Sequence, residues 1–194
     1  HITNFNQRHN GRLFYNTGRR LNNGFIRLNH SVLTISDRDI ISQNRSLKDI
    51  DGSKKLNSSV LKTISNYVPD LIVLGHADLV NLQTLDFIKR YYPEIKIVQW
   101  FLDKMDNEWK KNKLRFADKM DLLDCSFTTT SPDILSLSKS KNIFFIPNPA
   151  DISFETLKCY ENKHPIFDLF FAMSHGVHRG TLKKGKFDKR TLII

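Results

Sequence analysis

Short, continuous apolar runs alternate along this chain with segments whose apolar residues recur at three- and four-residue spacing. Residues 13–15, 32–35, 71–74, 95–101, 125–128, 143–146 and 169–172 are predicted strands. Most are unbroken rather than alternating, as in strands covered on both faces. Between them, Leu21, Phe25 and Leu28 mark one helix face, Val60, Leu61, Ile64 and Val68 a second, and Leu82, Leu85, Ile88 and Tyr92 a third. Trp109, Phe116 and Met120 mark a more basic helix over 107–120, and Ser131-Pro132-Asp133 reads as a helix start. Repeated strand-helix-strand order predicts an α/β fold, a doubly wound parallel sheet. Residues 37–57 are polar and without clear period, and are expected to form a long loop.

Composition is that of a globular chain, 40% hydrophobic and 26% charged, with no apolar run long enough to span a membrane. No secretory signal is visible, and the His1 start and the closing "RTLII" read as the ends of a fragment. Cys125 and Cys159 lack metal or redox spacing and are expected to be reduced thiols of a cytoplasmic protein.

The net charge of +10 is concentrated at the two ends. Residues 1–36 carry Arg8, Arg12, Arg19, Arg20 and Arg27 and no acid; residues 175–194 carry six basic residues against Asp188; the stretch between is neutral. Two local patches on a neutral body fit either basic tails or two halves of one anion site.

In an open parallel sheet, ligands bind beyond the carboxyl ends of the strands. The predicted strands here end in "NTGRR", "SDRD", "GHAD", an aspartate at 103, "TTS", "PNP" and "SHGVHRG". Neither G-x-G-x-x-G nor a P-loop is present, which weakens dinucleotide and ATP-hydrolysis readings. Gly18 would let a phosphate approach a helix N-terminus, with Arg19 and Arg20 adding charge-assisted bonds; a solvated arginine pair is the alternative. His76 is a candidate general base or sugar-hydroxyl ligand, or else a capping histidine. Asp103 is a candidate base or an N-cap. His178 and Arg179 repeat the logic of the first loop, or belong to a basic tail.

Together, "GRRLNNGFIRLNHSVLTISDRD", "PDLIVLGHAD", "IKIVQWFLD", "FFIPNPAD" and "DLFFAMSHGVHRG" resemble the N-terminal half of GT-B glycosyltransferases of the CgeB-like (spore maturation protein B-like) type, over residues 12–180. The resemblance implies a Rossmann-like acceptor-side domain over 1–150, a linker over 151–166 and the truncated start of a donor-binding domain over 167–194. It implies sugar transfer from a nucleotide-sugar to a saccharide, glycolipid or protein acceptor, with no metal or other cofactor. It assigns Gly18, Arg19, Arg20, His178 and Arg179 to the donor phosphates, and His76 and Asp103 to acceptor binding or base chemistry. A cytoplasmic location, with peripheral contact at the inner membrane face, would follow. Two other readings stay open: a non-catalytic α/β ligand-binding module, and a basic nucleic-acid-binding protein using Lys110, Lys111, Lys113 and Arg115. The latter lacks any recognised nucleic-acid motif, so no specific nucleic acid is expected.

Overall fold

The computed structural model describes residues 1–47, 49–105, 109–135, 137, 142–164, 166 and 167. The chain divides into two compact units, His1–Glu155 and Thr156–Ile194. In the second, the described residues include one short 3-10 turn, Cys159–Glu161.

The first unit is built on six parallel strands: β1 Ile2–Thr3, β2 Ile35–Ser36, β3 Leu71–Gly75, β4 Lys96–Phe101, β5 Cys125–Thr128 and β6 Ile143–Phe145. Their order is β2-β1-β3-β4-β5-β6, and every pairing is parallel. The helices are α1 Thr17–Arg27, α2 Asp37–Asn44, α3 Ser53–Tyr67, α4 Leu82–Tyr91, α5 Lys110–Ala117 and α6 Pro132–Leu135. The expected α/β, Rossmann-like sheet is what the chain forms.

Alternation along the strands sends side chains to two covered faces. Ile72, Leu74 and Ile97 join Leu56, Val60 and Ile64 of α3 and Leu85 and Ile88 of α4 in one core. Val73, Val98 and Trp100 point the other way, against Leu21 and Phe25 of α1. A third cluster gathers Phe101, Phe116, Met120 and Leu135. The helix periods read from the sequence mark core faces in their middle turns, while Leu28, Val68, Leu82 and Trp109, counted with them, are exposed.

Two expectations fail. Residues 13–15 are not a strand; the first strand is Ile2–Thr3, two residues that carry no periodic signal. Leu13, Phe14 and Tyr15 are exposed in the connection to α1, where Phe14 and Tyr15 pack edge-on against each other and against Phe154. Residues 37–57 are not one loop either: they hold α2 and the first turn of α3. The polar look of α2 concealed it because two of its buried residues, Asp37 and Asp39, are carboxylates. Acids in a first turn suit the helix dipole.

Candidate functional site

The chain leaves β1 toward β2 on one side and then crosses to β3 on the other, so the topological switch point lies between β1 and β3. Close packing shapes this point. A Cβ on Gly18 would stand 2.6 Å from Thr3 Cγ2, and one on Gly75 would stand 2.1 Å from the Trp100 ring and 2.7 Å from Thr3 Oγ1. Thr3 Oγ1 donates to the Gly75 carbonyl at 2.9 Å. Both glycines are thus needed for the fit around Thr3, and they set the N-terminus of α1 and the turn after β3 on either side of the β1 exit. Gly18 is buried against protein, with Thr3 occupying the space over its α-carbon.

The arginine pair divides. Asn16 caps α1 by accepting the Arg19 N–H at 3.0 Å. The Arg19 guanidinium lies 4.0 Å from the centre of the Phe14 ring and 5.7 Å from that of Phe5. Its Nε is buried without a hydrogen-bond partner. Arg20 points elsewhere: its Nε and Nη2 donate to Glu155 Oε1 at 2.8 and 2.6 Å. Two turns later, Arg27 donates to the fully buried Asp151 at 2.7 Å. The Arg27 bond, with those from Ser153, holds the Asp151 carboxyl far below the usual carboxylate range. Arg8 is paired as well, donating to Asp39 at 2.8 Å. Three of the five arginines in the leading basic segment are therefore neutralised inside the fold.

On the other side of the switch point, His76 adopts a left-handed backbone, with φ of 49°. For a residue with a Cβ this conformation is strained and concentrates at functional positions. Its ring stacks on Phe101, with centroids 4.3 Å apart, and meets Trp100 edge-on. The Leu102 N–H donates to Nε2 at 3.2 Å, so the proton sits on Nδ1, 3.6 Å from Asp103 Oδ2. Burial lowers the His76 pKa; Asp103 opposes that and Arg115 adds to it. The imidazole is neutral at pH 7.

Charges from four elements close around it. Arg115 of α5 donates to Asp78 Oδ2 at 2.7 Å and lies 3.5 Å from Asp103. Arg38 of α2 reaches Asp78 at 3.7 Å, and the buried Lys119 donates to the Asp78 carbonyl at 3.1 Å. Asp103 is about half exposed, at 51%, and is the carboxylate of this group most open to solvent.

Asp37, the first residue of α2, is almost wholly buried, and its Oδ1 has no hydrogen-bond partner. Burial raises its pKa to about 6, with Asp78 and Asp39 adding to the effect and Arg38 opposing it. Its neighbour Asp39 is its opposite, accepting from Ser36, from the Gln7 and Arg8 amides and from the Arg8 side chain. Sequence reasoning missed Asp37, Arg38, Asp78, Asp151 and Glu155 as members of these networks. Only the clustering of charged residues directly after predicted strands, in "SDRD" and "GHAD", could have signalled the first three. His178 and Arg179 lie outside the described residues. Among the described residues, no group of three or more His, Cys, Asp or Glu side chains is placed to hold a metal ion, and no helix is long and apolar enough to cross a membrane.

No protein-family model, curated protein or solved structure matches this chain. Fold and site together define its class: a Rossmann-like α/β domain whose carboxyl rim carries a stacked arginine with no acidic partner among the described residues and, across the switch point, a histidine-carboxylate-arginine network.

Proposed function

We propose that the chain is the acceptor-side part of a GT-B glycosyltransferase that transfers a sugar from a nucleotide-sugar to a hydroxyl-bearing acceptor. The observation that carries this reading is Arg19, a cation in the first turn of α1 beside the switch point, stacked on Phe14 and with its Nε unpaired. A cation there opposes the helix dipole, and a phosphate would satisfy both. In the reaction, the acceptor oxygen bonds to the anomeric carbon as the bond from that carbon to the donor phosphate oxygen breaks. The diphosphate leaves with the electron pair, and the hydroxyl proton passes to Asp103. Arg19 stabilises the charge that builds on the leaving group, the kind of interaction that strengthens toward the transition state. Neutral His76 stands beside Asp103, and Arg115 balances the carboxylate's charge.

The test is a thermal-shift panel of UDP, GDP, ADP and CDP on the protein. One nucleoside diphosphate is expected to raise Tm, with the shift lost in Arg19→Ala and retained in Arg20→Ala. No shift with any of the four, or a shift indifferent to Arg19, would end the proposal. A binding module without chemistry is favoured by one feature, the Leu102 N–H that occupies His76 Nε2 inside the fold. It predicts ligand-induced stabilisation with no hydrolysis or transfer of the bound nucleotide-sugar.

A further inference from the structure

Helix α5 presents two faces of opposite chemistry. Phe116, fully buried, packs on Phe101 with ring centres 5.7 Å apart, and Asn112 ties the helix to the preceding loop by donating to the Lys104 carbonyl at 2.9 Å. Successive residues turn by about 100° around a helix axis, so Leu114 lies almost opposite Phe116, between Lys110 and Lys111. All three are exposed to solvent, Leu114 by 70%. Lys113 and Arg115, both half-buried, stand at the two margins of this face.

The helix holds four cations and no acid. Arg115 is engaged with Asp78 and Asp103, and Asp118, just past the helix, lies 3.8 Å from Lys119. Among the described residues, no ion pair or side-chain hydrogen bond holds Lys110, Lys111 or Lys113. Trp109, directly before the helix, is 53% exposed, whereas Trp100, the other of the chain's two tryptophans, is buried.

An exposed leucine set among unpaired lysines, beside an exposed indole, is unfavourable in water and suited to a bilayer surface. There the leucine and the indole enter the boundary between headgroups and acyl chains, while the lysines lay their stems along it and meet anionic headgroups. A nucleic-acid backbone would attract the lysines equally, but it offers Leu114 no apolar partner. We infer that α5 is the docking face of this protein for an anionic phospholipid bilayer, with Leu114 and Trp109 as apolar anchors and Lys110, Lys111 and Lys113 as headgroup contacts. Because Arg115 of the same helix lies 3.5 Å from Asp103, docking would bring the Asp103 group close to the lipid surface. The inference stands independently of the glycosyltransferase reading, since lipid binding is measured with no nucleotide present.

The experiment is co-sedimentation of the chain with vesicles of equimolar phosphatidylglycerol and phosphatidylcholine, with tryptophan emission recorded on the same samples. Binding is expected with these vesicles and not with phosphatidylcholine alone. Emission is expected to shift to the blue and to be quenched by brominated acyl chains, both effects disappearing in Trp109→Phe, which retains Trp100. Combined Lys110→Ala, Lys111→Ala and Lys113→Ala substitution is expected to weaken binding by at least about tenfold. Leu114→Ser, which leaves the charge unchanged, is expected to weaken it by about fivefold. These positions are on the helix margin or its exposed face, and an unchanged Tm checks that each variant is folded. No binding to the anionic vesicles, or binding indifferent to the triple lysine substitution, would overturn the inference. Binding insensitive to Leu114→Ser and without a Trp109 shift, together with tighter binding to polyuridylate, would mark the patch as a nucleic-acid surface and overturn it equally.

Discussion

Asp37 sits inside the protein with one oxygen unsatisfied, a condition that works against stability whenever the carboxyl ionises. Its pKa is raised to about 6 in the fold, from an ordinary value near 3.8. Between those two values the folded state holds a proton the unfolded chain has lost, so this residue's contribution falls as pH rises through the window and is gone above about 6. The full swing is on the order of 3 kcal/mol. Asp37→Asn is expected to stabilise the protein at pH 7.5 by up to that amount and to leave it unchanged at pH 3.5, as urea melts at the two values would reveal. A stabilisation independent of pH would refute the assignment. Gly75 makes the complementary case, in which shape decides. The Trp100 ring that a new Cβ would strike is packed by His76 and receives further contact from His1. Gly75→Ala is therefore expected to cost about 1–3 kcal/mol, measured in the same melts, and to blunt the rim by shifting the His76 turn. None of this was visible in the sequence, where Asp37 is one acid in a polar stretch and Gly75 one small residue at a strand end. Burial and close approach are products of tertiary contact.

At the scale of elements, α1 explains why a helix would begin with two arginines. Its apolar positions Leu21 and Phe25 pack on the sheet, while Arg20 and Arg27, two turns apart, bind Glu155 and Asp151. Asp151 and Glu155 also bond each other's segment, the Asp151 N–H donating to Glu155 Oε2 at 2.6 Å. The stretch 151–155 is thereby folded onto the helix, and Phe154 adds ring contacts to Phe14 and Tyr15. Arg27→Ala would leave the buried Asp151 carboxylate without its cation. Trypsin and chymotrypsin are expected to cut within 149–160 much faster in that variant than in the parent chain. An unchanged digestion pattern would mean that the pair is dispensable. Helices α3 and α4 and strands β3, β4, β5 and β6 were legible because their apolar spacing is a local property. The partnership of α1 with residues 151–155 was not, since it joins positions more than 120 apart in the sequence. Strand β1 was missed because two residues are too few to carry a period, and α2 because its buried face includes carboxylates.

Over the whole molecule, the +10 charge resolves into parts with different fates. Much of the leading basic segment is spent inside the fold on Asp39, Glu155 and Asp151. Arg19 stands apart, over an aromatic ring at the switch point, with the His76, Asp103 and Arg115 group across the β1 exit. The sequence pointed to the rim, to Arg19 and to Asp103; it could not separate Arg19 from Arg20, because only the reach of Glu155 does so. The central claim is that an anion binds where α1 begins, at the carboxyl ends of β1 and β3. Amide chemical-shift mapping of the chain during a titration with UDP tests it most directly. The account predicts perturbations concentrated at residues 16–20, 76–78 and 102–103 and absent from Arg19→Ala. Perturbations centred instead on the cleft that residues of 30–35 and 67–73 line, or the same pattern in Arg19→Ala, would contradict it.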